Sequence, residues 1–202
     1  MSELICGLDE AGRGPLAGPV TAGCVILPKD FPVEILNDSK KLSEKKRIAA
    51  EKIIMEKACW GLGVVDHETI DQINILRASM YAMKIAYEMM ILKLPDWLKT
   101  QNLGFNDFSE PLTSLISAIT DGNSCPEIPC KCRCEPKADG KYPEVMAASI
   151  IAKVERDKMM VEFDRLYPQY GYAKHKGYPT KAHIKVCREI GMSPIQRKTF
   201  KF

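Results

Sequence analysis

Two adjacent carboxylates near the N-terminus stand where a short apolar run gives way to glycines. Residues 4–8 have the composition of a β-strand, and Asp9 and Glu10 follow directly, before Gly12-Arg13-Gly14. In α/β proteins, sites form where strands end. Carboxylates bind metal ions, and a guanidinium between glycines can bind phosphate at close range. The stretch therefore indicates phosphodiester chemistry, although an acidic pair before glycines is also typical of an exposed turn.

The same arrangement of strand, acid and glycine occurs again further along the chain. Residues 115–120 predict a short strand, which ends in Asp121-Gly122-Asn123. If the two strands are neighbours, Asp121 can approach Asp9, whereas an Asp-Gly pair is also common in turns. Another acid, Asp139, precedes a strong helical pattern.

A serine and a lysine precede a predicted helix. Ser39 and Lys40 come just before a lysine-rich helix predicted at about 44–57, with Ser43 as its N-cap. A helix start with a hydroxyl and an ammonium beside it can bind phosphate. A capped surface helix with solvated lysines explains the same pattern.

Aromatic and basic side chains are mixed in the stretch 167–180. It contains four tyrosines, among them Tyr178, with Lys174, His175 and Lys176 between them. Such a surface can stack on a sugar or base while it binds phosphate. The alternative is an aromatic loop that packs on the core.

These candidate residues require a sheet whose strand ends meet at one edge. Hydrophobic patterns predict such a sheet with helices around it. The further predicted elements are strands at 20–27, 58–65 and 127–134, a short helical turn at 66–71, helices at 73–94, 143–166 and 180–190, and a loop at 95–110. Pro143 is suited to the first turn of its helix.

Length and composition indicate one globular domain. The chain has 202 residues, 46% hydrophobic and 27% charged, which is enough for one substantial core. The net charge of +3 does not identify a partner. Basic side chains cluster at 40–47 and at 174–181, as expected where a polyanion crosses the surface, and also on solvated faces.

Targeting signals and cysteine spacing indicate a reducing compartment. The N-terminus has no signal-peptide pattern and no apolar run approaches a membrane span, so we expect a soluble cytoplasmic protein. We also expect a monomer. The eight cysteines are irregularly spaced, which favours reduced thiols. Cys125, Cys130, Cys132 and Cys134 lack the C-x-x-C spacing of a zinc knuckle and predict a strand with thiols on one face, which disfavours structural zinc.

Five separated motifs occur in one order between about residue 4 and Phe200. They are Asp9-Glu10-Ala11-Gly12-Arg13-Gly14-Pro15, Asn37-Asp38-Ser39-Lys40-Lys41-Leu42-Ser43, Asp121-Gly122-Asn123, Pro143-Glu144 with Ala147-Ala148-Ser149-Ile150-Ile151-Ala152-Lys153-Val154, and His175-Lys176-Gly177-Tyr178-Pro179-Thr180. Each is modest alone, but together they resemble type 2 ribonuclease H, the ribonuclease HII family.

The resemblance implies a fold and an activity. The fold is ribonuclease H-like, a mixed five-stranded sheet flanked by helices, with residues 1–202 as a single catalytic domain and about 167–202 as a C-terminal helical extension that contacts substrate. The activity is endonucleolytic cleavage of the RNA strand of RNA/DNA hybrids. It includes incision 5′ of a single ribonucleotide in duplex DNA, leaving 3′-hydroxyl and 5′-phosphate ends. Such an enzyme removes ribonucleotides and RNA primers during DNA replication and repair.

The resemblance also implies roles for particular residues. They are Asp9, Glu10, Asp121 and Asp139 as catalytic acids and metal ligands, Gly12, Arg13 and Gly14 as the loop that senses the ribose 2′-hydroxyl, Tyr178 as the ring beneath the adjoining deoxyribose, and Ser39 and Lys40 as contacts to backbone phosphates.

Repulsion among four carboxylates explains why such a site uses Mg²⁺ or Mn²⁺, which relieve it and prefer oxygen ligands. Two ions about 4 Å apart can activate a water and stabilise the leaving 3′-oxygen without a covalent enzyme intermediate. Adjacent side chains on a regular strand face opposite ways, so Asp9 and Glu10 can both serve only if the strand twists out at Glu10.

Two other functions fit parts of the sequence. A catalytically silent hybrid-binding module would use the basic and tyrosine-rich surfaces, and the four acids argue against it. A metal-dependent phosphatase or DNA nuclease is disfavoured by the loop implied to sense a 2′-hydroxyl. The expected partners are RNA/DNA hybrid and ribonucleotide-containing DNA, without a membrane. Contact with a replication clamp stays open.

Overall fold

The computed structural model describes residues 4–37, 39, 41–101 and 112–201. Its strands are β1 (Leu4–Ala11), β2 (Val20–Ile26), β3 (Cys59–Val65), β4 (Ile116–Asp121) and β5 (Lys131–Glu135). Its α-helices are α1 (Glu44–Lys57), α2 (His67–Ile73), α3 (Ile75–Thr100), α4 (Pro143–Leu166), α5 (Tyr172–His175) and α6 (Lys181–Ile190). Short 3₁₀ turns lie at Val33–Ile35, Leu112–Leu115, Ala138–Gly140 and Pro168–Tyr170.

The five strands form one mixed sheet in the order β3-β2-β1-β4-β5. β1 and β3 both pair antiparallel with β2, whereas β4 runs parallel to β1 and β5 parallel to β4. The predicted mixed five-stranded α/β fold is confirmed. Because β1, β4 and β5 are parallel, their carboxyl ends meet at one edge of the sheet.

Helices cover both faces of the sheet. α3 packs on one face against the buried side chains of β1 and β2, and α4 and α1 pack on the other. α3 packs closely on Gly61 and Gly63 of β3, since a Cβ there would overlap backbone atoms of Ala82 and Ala86. A third, smaller core joins α4 to the C-terminal helices through Met160, Tyr172 and Cys187 among others.

Local sequence signals account for the helix starts. Ser43 Oγ accepts from Lys46 N at 3.4 Å, and Asp66 Oδ1 accepts from Thr69 N at 2.8 Å, as N-caps do. Pro143 occupies the first turn of α4. The predicted bounds of α1 and α4 are therefore confirmed, and the turn predicted at 66–71 is the start of α2.

The long helix α3 corrects one prediction. The sequence predicted a helix at 73–94 and a loop from Pro95, but α3 continues to Thr100 with Pro95 inside it. Leu94 and Leu98 are buried on the same helical face, and Trp97 Nε1 donates to Lys57 O at 2.9 Å. This packing stabilises the last turns despite the proline. The rest of the predicted loop, residues 102–110, lies outside the described residues.

Another prediction is wrong in its bounds, and the structure decides between the two alternatives for the tyrosines of 167–180. The strand predicted at 127–134 is β5, which begins only at Lys131, after two prolines that cannot donate to a ladder. In the stretch 167–180, Tyr170 and Tyr172 are buried in the third core, whereas Tyr178 is 42% exposed. Tyr167 is partly buried and packs against the same core, so the packing alternative holds for three of the four tyrosines, and Tyr178 is available at the surface.

None of the helices in the described residues is both long enough and apolar enough to cross a bilayer.

Candidate active site

Asp9 and Asp121 lie side by side on neighbouring strands. The last residue pair of the parallel β1–β4 ladder joins Leu8 to Thr120, and each acid is the next residue of its strand. In a parallel pair, residues in register project to the same face. On its other side β1 stays paired with β2 through Ala11, so the acids lie inside the strand rather than after it. The predicted strand end at residue 8 is true only of the edge facing β4.

Asp9 is buried on the face that α4 covers. Its exposed fraction is 5%. Burial and the nearby carboxylates of Glu10 and Asp121 raise the pKa of Asp9 well above its usual range, and a hydrogen bond from Ser149 lowers it in part. The backbone N–H of Glu10 also donates to Asp9 Oδ1 at 2.7 Å. Three of the predicted acids therefore interact electrostatically.

Asp139 lies at the same edge of the sheet, because its neighbour Ala138 hydrogen-bonds Asp121. The backbone N–H of Ala138 donates to Asp121 Oδ1 at 2.7 Å, and Asp139 follows it in a 3₁₀ turn. Asp139 is 7% exposed. The structure thus brings all four predicted acids to the carboxyl end of the parallel strands.

A fifth carboxylate lies in the same row. Glu135 of β5 pairs in register with Asp121. Hydrogen bonds from Lys141 (2.5 Å) and Tyr142 (2.6 Å) hold the pKa of Glu135 below its usual range. These donors stabilise the charged form of Glu135, which the sequence prediction did not include.

The donor set fits a hard divalent cation. The acids offer only carboxylate oxygens, which Mg²⁺ and Mn²⁺ prefer. Burial and the repulsion of neighbouring carboxylates raise the pKa of Asp9, and a cation would relieve the repulsion. Among the residues that the structure describes, no three acidic, histidine or cysteine side chains already converge as a ready-made metal cage. The carboxylates instead bind backbone and side-chain donors.

The glycine loop and the exposed tyrosine lie beside the acids. Arg13 Nη1 donates to Glu10 Oε1 at 3.4 Å, and half of the Arg13 side chain is exposed. Gly12 has φ +102°, which favours glycine. Tyr178 Cε1 lies 3.7 Å from where a Cβ of Gly14 would be. The predicted loop and ring therefore form one continuous surface.

Ser39 faces the acids rather than the solvent. It is 4% exposed, and its Oγ lies 2.9 Å from Ser149 Oγ, which in turn hydrogen-bonds Asp9. Arg47 Nη1 donates to Ser39 O at 2.8 Å. The predicted phosphate contact thus adjoins the acids through one hydroxyl. Lys40 lies outside the described residues.

Comparison with known proteins identifies the family. A family model described as Ribonuclease HII matches residues 6–202. The chain belongs to the ribonuclease HII family. Ribonuclease HII of Treponema denticola is 50% identical over 201 residues, which cover 98% of each chain. Family membership makes this chain a ribonuclease H, an endonuclease that acts on RNA/DNA hybrids.

Solved structures show the same fold. The ribonuclease HII in a complex with PCNA from Archaeoglobus fulgidus is 26% identical, with a TM-score of 0.72 over 98% of this chain and 96% of that one. A structure described as Bst-RNase HIII in complex with Mn²⁺ is 20% identical, with a TM-score of 0.58 over 94% of this chain and 63% of that one. At that identity the second likeness shows the fold alone.

Besides Glu135, three residues near this ribonuclease HII site were missed from the sequence. Ser149 was part of a motif but received no role of its own. Arg156 lies on the buried stripe of α4, where Ala148, Ala152 and Met160 recur at helical spacing, and a cation on an apolar stripe was the available signal. Arg197, in the C-terminal segment, had no periodic pattern to mark it.

Proposed function

We propose that this ribonuclease H incises DNA duplexes 5′ of a single embedded ribonucleotide, as well as cleaving the RNA strand of hybrids. The products would carry 3′-hydroxyl and 5′-phosphate ends. Such an activity serves ribonucleotide removal and RNA primer clearance in DNA replication and repair.

One observation carries the proposal. The paired acids Asp9 and Asp121 lie on adjoining strands. Arg13 pairs with Glu10 beside them, and Gly14 of the same loop lies close to the exposed ring of Tyr178. A site that combines acids for hydrolysis with a glycine loop and a ring suits a backbone that must be both cut and read at its sugar. Tyr178 supplies the flat surface on which a sugar can stack.

The four acids would hold Mg²⁺ or Mn²⁺, and we propose two ions. When bound, such ions lower the pKa of a water and stabilise charge on the leaving oxygen. Asp9 is held in place by Ser149 and by the Glu10 backbone, and Asp121 by Ala138, so both carboxylates are oriented before a cation arrives. Arg13 beside Glu10 adds a positive charge where a phosphate would approach.

We further propose that residues from about 167 onward act as a substrate-contacting extension of a single domain. The segment 193–201 supports this role because it pairs with the loop 12–19. A β-bridge joins Ala17 to Gln196, and Gly18 N donates to Ile195 O at 2.9 Å. Tyr178 belongs to the same extension.

A gel assay tests the function. A labelled DNA duplex with one ribonucleotide is incubated with Mg²⁺, with Mn²⁺ and with EDTA, beside an all-DNA duplex. We expect metal-dependent incision 5′ of the ribonucleotide and an intact control. Asp121→Asn should abolish the incision and leave binding of the hybrid largely intact. The matched control is Asp96→Asn, because Asp96 is an exposed acid of α3 paired only with Lys99 among the described residues.

Two outcomes would refute the proposal. Tight binding without incision would favour the silent hybrid-binding module. Incision of the all-DNA duplex would favour a DNA nuclease, since only the proposed function requires a ribonucleotide in the cleaved strand.

A further inference from the structure

Two buried arginines lie beneath the loop 12–19. Arg156 of α4 is 1% exposed and Arg197 is fully buried. Within the described part of the chain, neither guanidinium forms an ion pair with a carboxylate. Burial lowers the pKa of Arg156 to about 10 and that of Arg197 to about 9, so both stay charged at neutral pH. Two buried cations without acidic partners are costly, and they require another source of stabilisation.

Backbone carbonyl groups of the loop supply that stabilisation to Arg197. A guanidinium has five N–H donors in a fixed plane, and Arg197 uses each nitrogen. Its Nε donates to Gly18 O (2.9 Å), its Nη1 to Arg13 O (3.1 Å) and Pro15 O (2.8 Å), and its Nη2 to Gly12 O (2.6 Å) and Pro19 O (3.1 Å). One side chain therefore fixes five carbonyls of a single loop.

Arg156 connects the same loop to the segment that carries the exposed tyrosine. Its Nε donates to Pro19 O at 2.8 Å and its Nη2 to Ala17 O at 3.1 Å, while its Nη1 donates to Lys176 O at 2.9 Å. Lys176 is two residues before Tyr178. A backbone bond from Leu16 N to Gly177 O at 2.8 Å joins the two segments again.

The position of Arg197 is itself fixed on both sides. Its own backbone N–H donates to Leu16 O at 2.8 Å. Beyond it, Asp71 of α2 accepts from Lys198 N at 2.8 Å and from Thr199 N at 2.9 Å. The arginine therefore enters the loop from a segment that cannot move away freely.

We propose that Arg197, together with Arg156, is a positioning residue for ribonucleotide recognition, because it fixes the loop 12–19 beside Tyr178 in the arrangement that reads the sugar. The inference rests on the proposed function. Neither arginine touches the substrate in this role. Lysine cannot replace them, because one ammonium has no planar fork with which to serve the five carbonyls of Arg197 or the three of Arg156.

Hydrogen exchange of the free protein tests the positioning directly. In Arg197→Lys, we expect amide exchange in peptides covering 12–19 to be faster by about tenfold or more, with exchange in β1 and β4 unchanged. Arg156→Lys should behave alike. The control is Arg165→Lys on the same helix as Arg156, because Arg165 is 71% exposed and pairs with Glu162. An unchanged loop, or equal acceleration in the loop and the sheet, would overturn the inference.

Kinetics test the recognition. A long hybrid presents a 2′-hydroxyl in every register, whereas a single ribonucleotide presents one, so a misplaced loop impairs incision at the single ribonucleotide more. We expect Arg197→Lys to lower the ratio of kcat/KM for single-ribonucleotide DNA to that for long hybrid by about tenfold. Arg165→Lys should keep the wild-type ratio.

The two measurements separate the possible failures. Equal losses of kcat/KM on both substrates would overturn the recognition role, even if the loop exchanges faster. If the wild type cleaves long hybrid but does not incise single-ribonucleotide DNA, the proposed function fails and the recognition role with it. In that event the exchange data still decide whether Arg197 positions the loop.

Discussion

Two loops of this protein begin in the same way and are built differently. The loop 12–19 follows the acids of β1, and the loop 122–130 follows the acid of β4. Each opens on a glycine with almost the same backbone angle, φ +102° at Gly12 and +103° at Gly122. A Cβ on Gly12 would overlap the Arg156 side chain and lie 2.8 Å from Pro19 O, whereas a Cβ on Gly122 would meet nothing within 4 Å.

The difference shows that a local motif does not determine how a loop is used. Strand, acid and glycine occur in both places, yet only the first loop is fixed from below by buried arginines. The acids differ in the same way, since Asp9 is buried and Asp121 is half-buried. Long-range packing has been added to the motif at the first loop, which is the loop that we propose reads the sugar.

The largest expected effect on stability comes from Gly12→Ala. The substitution combines a left-handed backbone with an overlap on Arg156, whose three hydrogen bonds prevent it from moving aside. We expect a loss of about 2–4 kcal/mol in the free energy of unfolding and at least about a tenfold loss of incision at a single ribonucleotide. Urea denaturation and the gel assay measure both. Near-normal incision would show that the loop tolerates displacement.

Asp9→Asn should raise stability and abolish activity. Because burial and neighbouring carboxylates raise the pKa of Asp9, its charge destabilises the metal-free protein. Removing the charge should raise the free energy of unfolding in EDTA by about 1–2 kcal/mol while abolishing cleavage. Asp121→Asn is the matched variant, and we expect it to change the free energy of unfolding little, because Asp121 is half-buried and an asparagine oxygen can still accept from Ala138 N. Destabilisation by Asp9→Asn in EDTA would contradict this account.

Much of the fold could be predicted because its signals are local. Ser43 and Pro143 mark helix starts by their own chemistry, and the bounds of α1 and α4 follow from them. The end of α3 could not be predicted, since Pro95 is tolerated only because Leu98 and Trp97 pack beyond it. Such tertiary packing cannot be predicted from a local sequence pattern.

The candidate site divides in the same way. The side chains with chemistry of their own, such as Asp9, Asp121 and Tyr178, could be predicted from residue type and motif. The register that places Leu8 beside Thr120 could not, because it depends on pairing between strands more than 100 residues apart. Arg197 binds backbone carbonyls, which every residue has, so no sequence pattern at its acceptors predicts its role.

Gly122→Ala is the counterpart of the first substitution and should have a small effect. Only the backbone angle opposes it, so we expect a loss of about 1 kcal/mol in the free energy of unfolding and unchanged incision. Measured beside Gly12→Ala by the same assays, it isolates the cost of overlap from that of backbone strain. Equal activity losses in both variants would mean that the two loops do not differ in function.

The smallest expected effect concerns Asp71, behind the loop 12–19. Its carboxylate accepts from Lys198 N, Thr199 N and Thr199 Oγ1. Partial burial alone would raise the pKa of Asp71, but these hydrogen bonds outweigh it and hold the pKa below its usual range. The carboxylate therefore stabilises the fold above the unfolded pKa of about 3.9, and this contribution is lost as the pH falls through the lower folded value.

Asp71→Asn should cost less than about 1 kcal/mol at pH 7, because Asp71 is partly exposed and its charge is screened. The asparagine can accept through one oxygen, but its NH₂ group would face the Lys198 N–H, donor against donor. Urea denaturation of both proteins between pH 7 and pH 3 should show the difference shrinking as Asp71 protonates. A difference that stays constant over this range would mean that the shape of the side chain, rather than its charge, secures the segment that carries Arg197.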